Sequence, residues 1–150
     1  MTDPDLRPMR WWDIAPVLDI EAELFADDAW THGLFWSELA QHDSRHYVVA
    51  EDGDHILGYA GLALIGDEAY IQTIGVVRAR WGTGLGSVLL GTLLSTAEKS
   101  GVYTTALEVR ADNERAHRLY QRFGFSIVGI RRGYYQPSGA DAHVMVRGPA

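Results

Sequence analysis

Six consecutive residues, Trp81-Gly82-Thr83-Gly84-Leu85-Gly86, stand where a strand pattern gives way to a helical one, with Ser87 next. Glycines at such a junction let the backbone approach a ligand closely and turn several N–H groups toward one point. A helix beginning at about Leu85 leaves its first amides without intrahelical partners, and its dipole favours negative charge there. Together these features make a cradle for a diphosphate. The chain carries 13 basic and 20 acidic side chains, a net charge of −7. Backbone donors and local cations such as Arg78 and Arg80 must therefore do the attracting. The alternative is a glycine-rich turn that only reverses the chain.

The choice of phosphate ligand narrows by elimination. A P-loop closes on Gly-Lys-Ser/Thr, and this loop runs Leu85-Gly86-Ser87 with no lysine. A dinucleotide fingerprint needs G-x-G-x-x-G, and the third glycine position counted from Gly82 is Ser87. Glu108 does fall about 20 residues further on, as that motif's acidic residue would. Antiparallel hairpins precede the loop, however, and 150 residues leave no room for two mononucleotide-binding halves.

Other residues stand out by type and position. Glu108 interrupts an apolar run between Leu107 and Val109. A carboxylate there is costly unless it lines a polar cleft or a solvated sheet edge. Tyr120 falls on an apolar helical stripe, which by spacing alone makes it a core tyrosine. Asn113 is placed to cap the same helix. Gly75, inside a strand, marks a bulge, a close backbone approach or simply a weak strand position. His42 and His46 have i,i+4 spacing but no third ligand nearby, so no metal site is expected.

The elements that must carry these residues follow from periodicity. Helical spacing covers Trp11 to Phe25, through Ile14, Val17, Leu18, Leu24 and Phe25, and about His32 to Gln41, with Leu34, Phe35 and Leu39 inward. His46–Glu51 and His55–Ile65 read as strands joined by the Asp52-Gly53-Asp54 hairpin signal. A turn at Gly66-Asp67 leads into a third strand, about Ala69 to Val77. Leu85 to Lys99 carries Val88, Leu89, Leu93 and Ala97 at helical spacing and stops at Gly101. Tyr103 to Arg110 is a strand, with Glu108 on the face opposite Leu107 and Val109. A helix with the stripe Ala116, Leu119, Tyr120 and Phe123 ends at Gly124, and Ser126–Arg131 and Ala142–Arg147 supply the last strands. The predicted fold class is α/β (α+β): a single mixed, mostly antiparallel central sheet of about six or seven strands flanked by about four helices.

Composition sets the outer bounds. With 47% hydrophobic and 22% charged residues, the chain is expected to fold as one domain over residues 1–150. The absence of cysteine excludes disulfides, thiolate metal sites and cysteine nucleophiles, and suits the cytoplasm. No signal-peptide run or membrane-length apolar stretch is visible, so no membrane association is expected. The acidic balance argues against direct binding of nucleic acid.

The segment from Ile74 through Gly82-Thr83-Gly84-Leu85-Gly86-Ser87 to Leu90 resembles the acetyl-CoA motif Q/R-x-x-G-x-G/A of the GNAT superfamily of N-acetyltransferases. The likeness continues through Leu107-Glu-Val-Arg-Ala-Asp-Asn to Tyr120-Gln-Arg-Phe-Gly-Phe, then Ile130-Arg-Arg-Gly-Tyr-Tyr-Gln-Pro and Gly139-Ala-Asp-Ala. Asp28-Ala29-Trp30 fits an element before the second helix in one branch, the RimI type of ribosomal-protein-alanine N-acetyltransferases. One position departs from the pattern: Trp81 stands where the motif has Gln or Arg, so that either Arg80 beside it substitutes or the side-chain contact is absent.

The resemblance implies a GNAT fold, acetyl-CoA as co-substrate, no metal and direct attack by an amine in a ternary complex. It implies that Gly82, Thr83, Gly84, Leu85, Gly86, Ser87 and Asn113 hold the cofactor, and that the backbone at Ile74, Gly75 and Val76 pairs with its pantetheine arm. It assigns Glu108 as general base and Tyr120 as the acid that protonates the leaving thiolate. Trp30, Tyr134 and Tyr135 become candidates for clamping a peptide N-terminus, although both tyrosines would equally pack against Trp30 or Trp36. The implied acceptor is a protein N-terminus, foremost the alanine of small-subunit ribosomal protein eighteen. Acetylation of lysine or a small-molecule amine, and a non-catalytic acyl-CoA-binding module, are the alternatives. Acidic surface and exposed tyrosines also suit docking to basic ribosomal proteins or tRNA-modification proteins.

Overall fold

The computed structural model describes residues 4–148. In chain order the elements are β1 (Asp5–Pro8), α1 (Ile14–Phe25), α2 (His32–Leu39), β2 (Arg45–Asp52), β3 (His55–Ile65), β4 (Glu68–Val76), α3 (Leu85–Lys99), β5 (Thr104–Arg110), α4 (Glu114–Arg122), β6 (Ser126–Arg131) and β7 (Ala142–Arg147). Short 3-10 turns at Trp11–Asp13, Ala26–Asp28 and Arg78–Arg80 complete the path. The seven strands form one sheet in the order β1-β2-β3-β4-β5-β7-β6. Only β4 and β5 run parallel; every other pair is antiparallel. This is the mixed, mostly antiparallel sheet with four helices that the sequence predicts.

The turns form where their residues permit them. Gly53 and Gly66 take left-handed φ values of 61° at the first central position of the two hairpin turns, while Asp54 and Asp67 behind them do not, which is type II′ geometry. The expected α1 begins as a 3-10 turn at Trp11, and α2 ends at Leu39. Two inward assignments fail. Leu34 is exposed because α2 meets the core through the face that carries Phe35 and Glu38, and Val88 lies outside the stripe Leu85, Leu89, Leu93 and Ala97 that α3 buries. β1 has no counterpart in the sequence-based reading: four residues, one acid, one base and a proline carry no alternating pattern.

Two cores occupy opposite faces of the sheet. On one, α1 and α2 bring Ile14, Val17, Ile20 and Phe35 against Tyr47, Val49 and Tyr59. On the other, α3 and α4 bring Leu89, Leu90, Leu93 and Tyr120 against Leu62, Ile71, Leu107 and Met145. Each fully buried leucine contributes about 1.5–3 kcal/mol of apolar transfer free energy.

Two irregularities of β4 create the site. Gly61 pairs with Thr73 but Leu62 with Ile71, so Gln72 is an extra residue in β4. The bulge switches the alternation, so that Thr73 and Gly75 face α1 while Ile74 and Val76 pack toward the α3 side. Of the readings open at Gly75, the bulge lies three residues earlier, and a close approach holds instead: the Tyr59 side chain packs where a Cβ at Gly75 would stand. In addition, β4 pairs with β5 only from Glu68↔Thr104 to Ile71↔Leu107. Beyond that point the strands part, and Glu108 is the first residue of β5 past the last paired position.

Candidate active site

A cavity of about 550 Å³ opens where β4 and β5 diverge. Its walls include Ile74, Gly75 and Val76 from β4, Gly82, Gly84, Leu85, Gly86 and Ser87 from the loop and α3, and Glu108 from β5. Asn113 and Tyr120 of α4, Trp30, and Tyr135 from the β6–β7 loop also border it. The fold thus gathers thirteen of the sequence-selected residues around one space. Thr83 and Tyr134 stand outside it.

At one end, Gly82 and Gly84 adopt φ values of 79° and 90°, conformations that glycine takes without strain. The first helix-type bond of α3 runs from Val88 N to Gly84 O, 3.1 Å. The amides of Leu85, Gly86 and Ser87 find no protein acceptor among the described residues, and Gly84 offers no side-chain cap. These orphan donors and a cleft free of side chains fit the diphosphate of a coenzyme A thioester. Thr83 is committed elsewhere: its hydroxyl donates to Arg80 O at 2.6 Å and its amide to the same oxygen at 3.3 Å.

The cations expected beside this corner are also committed. Arg78 donates to the Glu23 carbonyl at 3.2 Å, and Arg80 pairs with Asp52 at 3.3 Å. Arg80 borders the cavity, but its guanidinium is tied to the β2–β3 hairpin. Trp81, at the departing position, remains exposed, and its Nε1 donates to the Val76 carbonyl across 2.8 Å. That carbonyl is therefore already an acceptor. The exposed cationic side chains on the wall come instead from α4: Arg115, Arg118 and Arg122. Their i, i+3, i+7 spacing, legible in the sequence, puts them on one side of the helix.

Midway along the cavity stand the groups for proton transfer. Glu108 forms an ion pair with Arg131 Nε at 3.2 Å and accepts from the Tyr134 hydroxyl at 3.4 Å. Tyr120 is 4% exposed, and burial, with Tyr135 nearby, raises its pKa, so the phenol stays protonated. Its hydroxyl joins none of the side-chain hydrogen bonds of the described residues, yet no enclosed side-chain polar atom among them lacks a partner. The hydroxyl therefore opens onto the cavity. Asn113 caps α4 through Oδ1, which accepts from Ala116 N at 3.2 Å, while the residue borders the same space.

At the far end, the half-buried Asp28, its carboxylate enclosed, ties three segments together. It pairs with Arg110 of β5 and accepts from the Ser138 hydroxyl at 2.8 and 3.0 Å, joining the α1–α2 connection to the β6–β7 loop. Tyr134 and Tyr135 pack edge-to-face on each other at 5.1 Å, not on Trp30 or Trp36. Trp30 packs on Phe35 at 4.8 Å instead.

A second carboxylate borders this end. Glu21 is 1% exposed and accepts from Trp30 N at 3.0 Å, Tyr59 Oη at 2.8 Å and Thr73 Oγ1 at 2.9 Å. Burial pushes its pKa up, against those three donors. The sequence holds a signal for it: an acid four residues after Val17 and seven after Ile14 lies on the apolar stripe of α1.

A cleft at a parallel-strand divergence, free amides at one end and a carboxylate with a protonated phenol at its middle define an acyltransferase of one fold family. The chain belongs to the acetyltransferase (GNAT) family, whose model matches residues 10–125. Acetyl-CoA is its co-substrate. Among named relatives, the chain is 46% identical over 134 residues to the N-alpha-acetyltransferase RimI of Mycobacterium tuberculosis, covering 86% of this chain and 82% of the relative. It is 38% identical over 128 residues to the [Ribosomal protein bS18]-alanine N-acetyltransferase of Haemophilus influenzae, covering 82% and 87%. The crystal structure of the ribosomal-protein-S18-alanine N-acetyltransferase from Escherichia coli superposes with a TM-score of 0.85 at 31% identity, covering 96% of this chain and 92% of that one. No helix among the described residues is long and apolar enough to cross a membrane.

Proposed function

We propose that this protein acetylates the α-amine of a protein N-terminus in the cytoplasm, foremost the N-terminal alanine of ribosomal protein bS18. The observation that carries the reading is one continuous cavity with unpartnered amides at its α3 end, Glu108 and Tyr120 midway, and a loop-bounded opening at the other. The substrates named for the relatives above support the choice of acceptor. Nothing favours docking to tRNA-modification proteins, and that expectation is dropped.

Acetyl-CoA supplies an activated acyl carbon at the divergence of β4 and β5. A peptide α-amine, with a reference pKa of about 7.7–8.0 against about 10.4 for lysine, loses its proton more readily by about 3.4 kcal/mol. Glu108 accepts that proton, which frees the nitrogen lone pair to form the new C–N bond. Tyr120 delivers its hydroxyl proton to the sulfur as the C–S bond breaks, and the second proton, lost from the nitrogen as the amide forms, restores the phenol. Arg131 and Tyr134 hold the Glu108 carboxylate in place, and Trp30 and Tyr135 border the entering residue.

Incubation with acetyl-CoA and a panel of peptides, followed by fragment mass spectrometry, tests the reading. An added acetyl group on the α-nitrogen of alanine-starting peptides is expected, with none on α-blocked copies. Acetyl found only on lysine side chains would replace this reading with ε-amine acetylation.

A further inference from the structure

The glycine corner answers only part of the charge that a coenzyme A thioester carries. A helix N-terminus offers about half a positive charge. The ligand presents a diphosphate and, on the ribose 3′ oxygen, a phosphate monoester of about −1.5 to −2 at neutral pH. The chain as a whole is at −7, and Arg78 and Arg80 are engaged by Glu23 and Asp52.

The wall opposite the corner is cationic instead. Arg115, Arg118 and Arg122 border the cavity from one side of α4, spanning about 10 Å at 1.5 Å rise per residue. Arg115 and Arg122 enter no ion pair among the described residues, and Arg118 has only a 3.9 Å contact with the exposed Glu114. Arg115 is also fixed in place: its guanidinium lies 3.6 Å from the centroid of the Trp81 ring, a stacking that suits arginine better than lysine. Burial, and then the charge of Arg118, both press the Arg115 pKa down. Like charges gathered on a cavity wall without carboxylate partners are stabilised by an anion that enters it.

We infer that this arginine row is a phosphate-monoester subsite: Arg118 and Arg122 take the 3′-phosphate of coenzyme A, and Arg115, stacked on Trp81, faces the diphosphate in place of the side chain the loop lacks. The inference rests on the cavity being the acetyl-CoA site. It adds that the enzyme selects the 3′-phosphorylated thioester through side chains of α4.

Calorimetric titration of CoA and 3′-dephospho-CoA into the wild-type protein and an Arg118→Gln/Arg122→Gln double variant tests it. Both positions are exposed, so the fold tolerates the change. The wild type is expected to bind CoA about 10- to 100-fold more tightly than dephospho-CoA. The double variant should lose that preference by weakening CoA alone, while Lys99→Gln, on exposed α3 surface, keeps it. Equal wild-type affinities, or a double variant that weakens both ligands alike, would overturn the subsite and leave the acetyltransferase reading standing. Failure of the wild type to bind either ligand would overturn both.

Discussion

Tyr59 donates its hydroxyl proton to Oε1 of Glu21 across 2.8 Å, beneath the point where β4 leaves β5. The pair joins α1 to the sheet and places a carboxylate at the cavity's edge without a cationic partner among the described residues. Because burial raises the folded pKa of Glu21 above its ordinary value of 4.5, its contribution to stability is fully present below that value. It is lost as the pH rises through the folded pKa. Urea unfolding from pH 4 to 8 should show the wild type losing stability relative to Glu21→Gln over that interval. Tyr59→Phe, which removes one of the three donors to the Glu21 carboxyl, should cost about 1–3 kcal/mol.

Gly75 is required by the same tyrosine. A Cβ built there would lie closer than 3.0 Å to the Tyr59 hydroxyl and ring, whose own residue is 1% exposed and cannot swing away. Gly75→Ala should destabilise by about 1–3 kcal/mol and lower turnover by displacing β4. Thermal unfolding and kcat/KM measured together check both effects.

Glu108 and Tyr120 are predicted to act on rate and not on cofactor affinity. Glu108→Gln should lower kcat by about 10²–10⁴-fold, and Tyr120→Phe by about 10²-fold, with the Kd for CoA unchanged. Steady-state kinetics paired with calorimetry separates this from a binding role. Full rate in both variants would contradict the assignments.

Asp28 couples the α1–α2 connection to the β6–β7 loop through Arg110 and Ser138. Asp28→Ala should cost about 1–3 kcal/mol of stability from lost charge-assisted hydrogen bonds. It should raise KM for the peptide while leaving KM for acetyl-CoA intact. Equal changes in both constants would show that the link governs the whole cavity.

What could be read in advance depended on how local the cause was. α3 from Leu85 to Lys99, β6 and β7 match their predicted bounds because caps, glycine stops and alternation are written within each segment. The glycine corner was legible for the same reason. The uses of Arg78, Arg80 and Thr83 were not, because their partners Glu23, Asp52 and the Arg80 carbonyl are chosen by how the turn before α3 folds back. Tyr134 and Tyr135 share a turn, but only Tyr135 reaches the cavity; adjacent residues diverge there, and no period distinguishes them. Glu21 and the α4 arginines did leave a signal, an acid on an apolar stripe and three cations on one helix side. Their meaning emerges only once β4 and β5 are seen to part.

Amide chemical shifts of Gly82, Gly84, Leu85, Gly86 and Ser87, followed in a nitrogen-15-labelled sample during titration with coenzyme A, report whether the glycine corner seats the diphosphate. These five amides should move most and saturate with the calorimetric Kd, as hydrogen bonds form to the diphosphate. Saturation of binding with these amides unmoved and the largest shifts elsewhere would contradict the account.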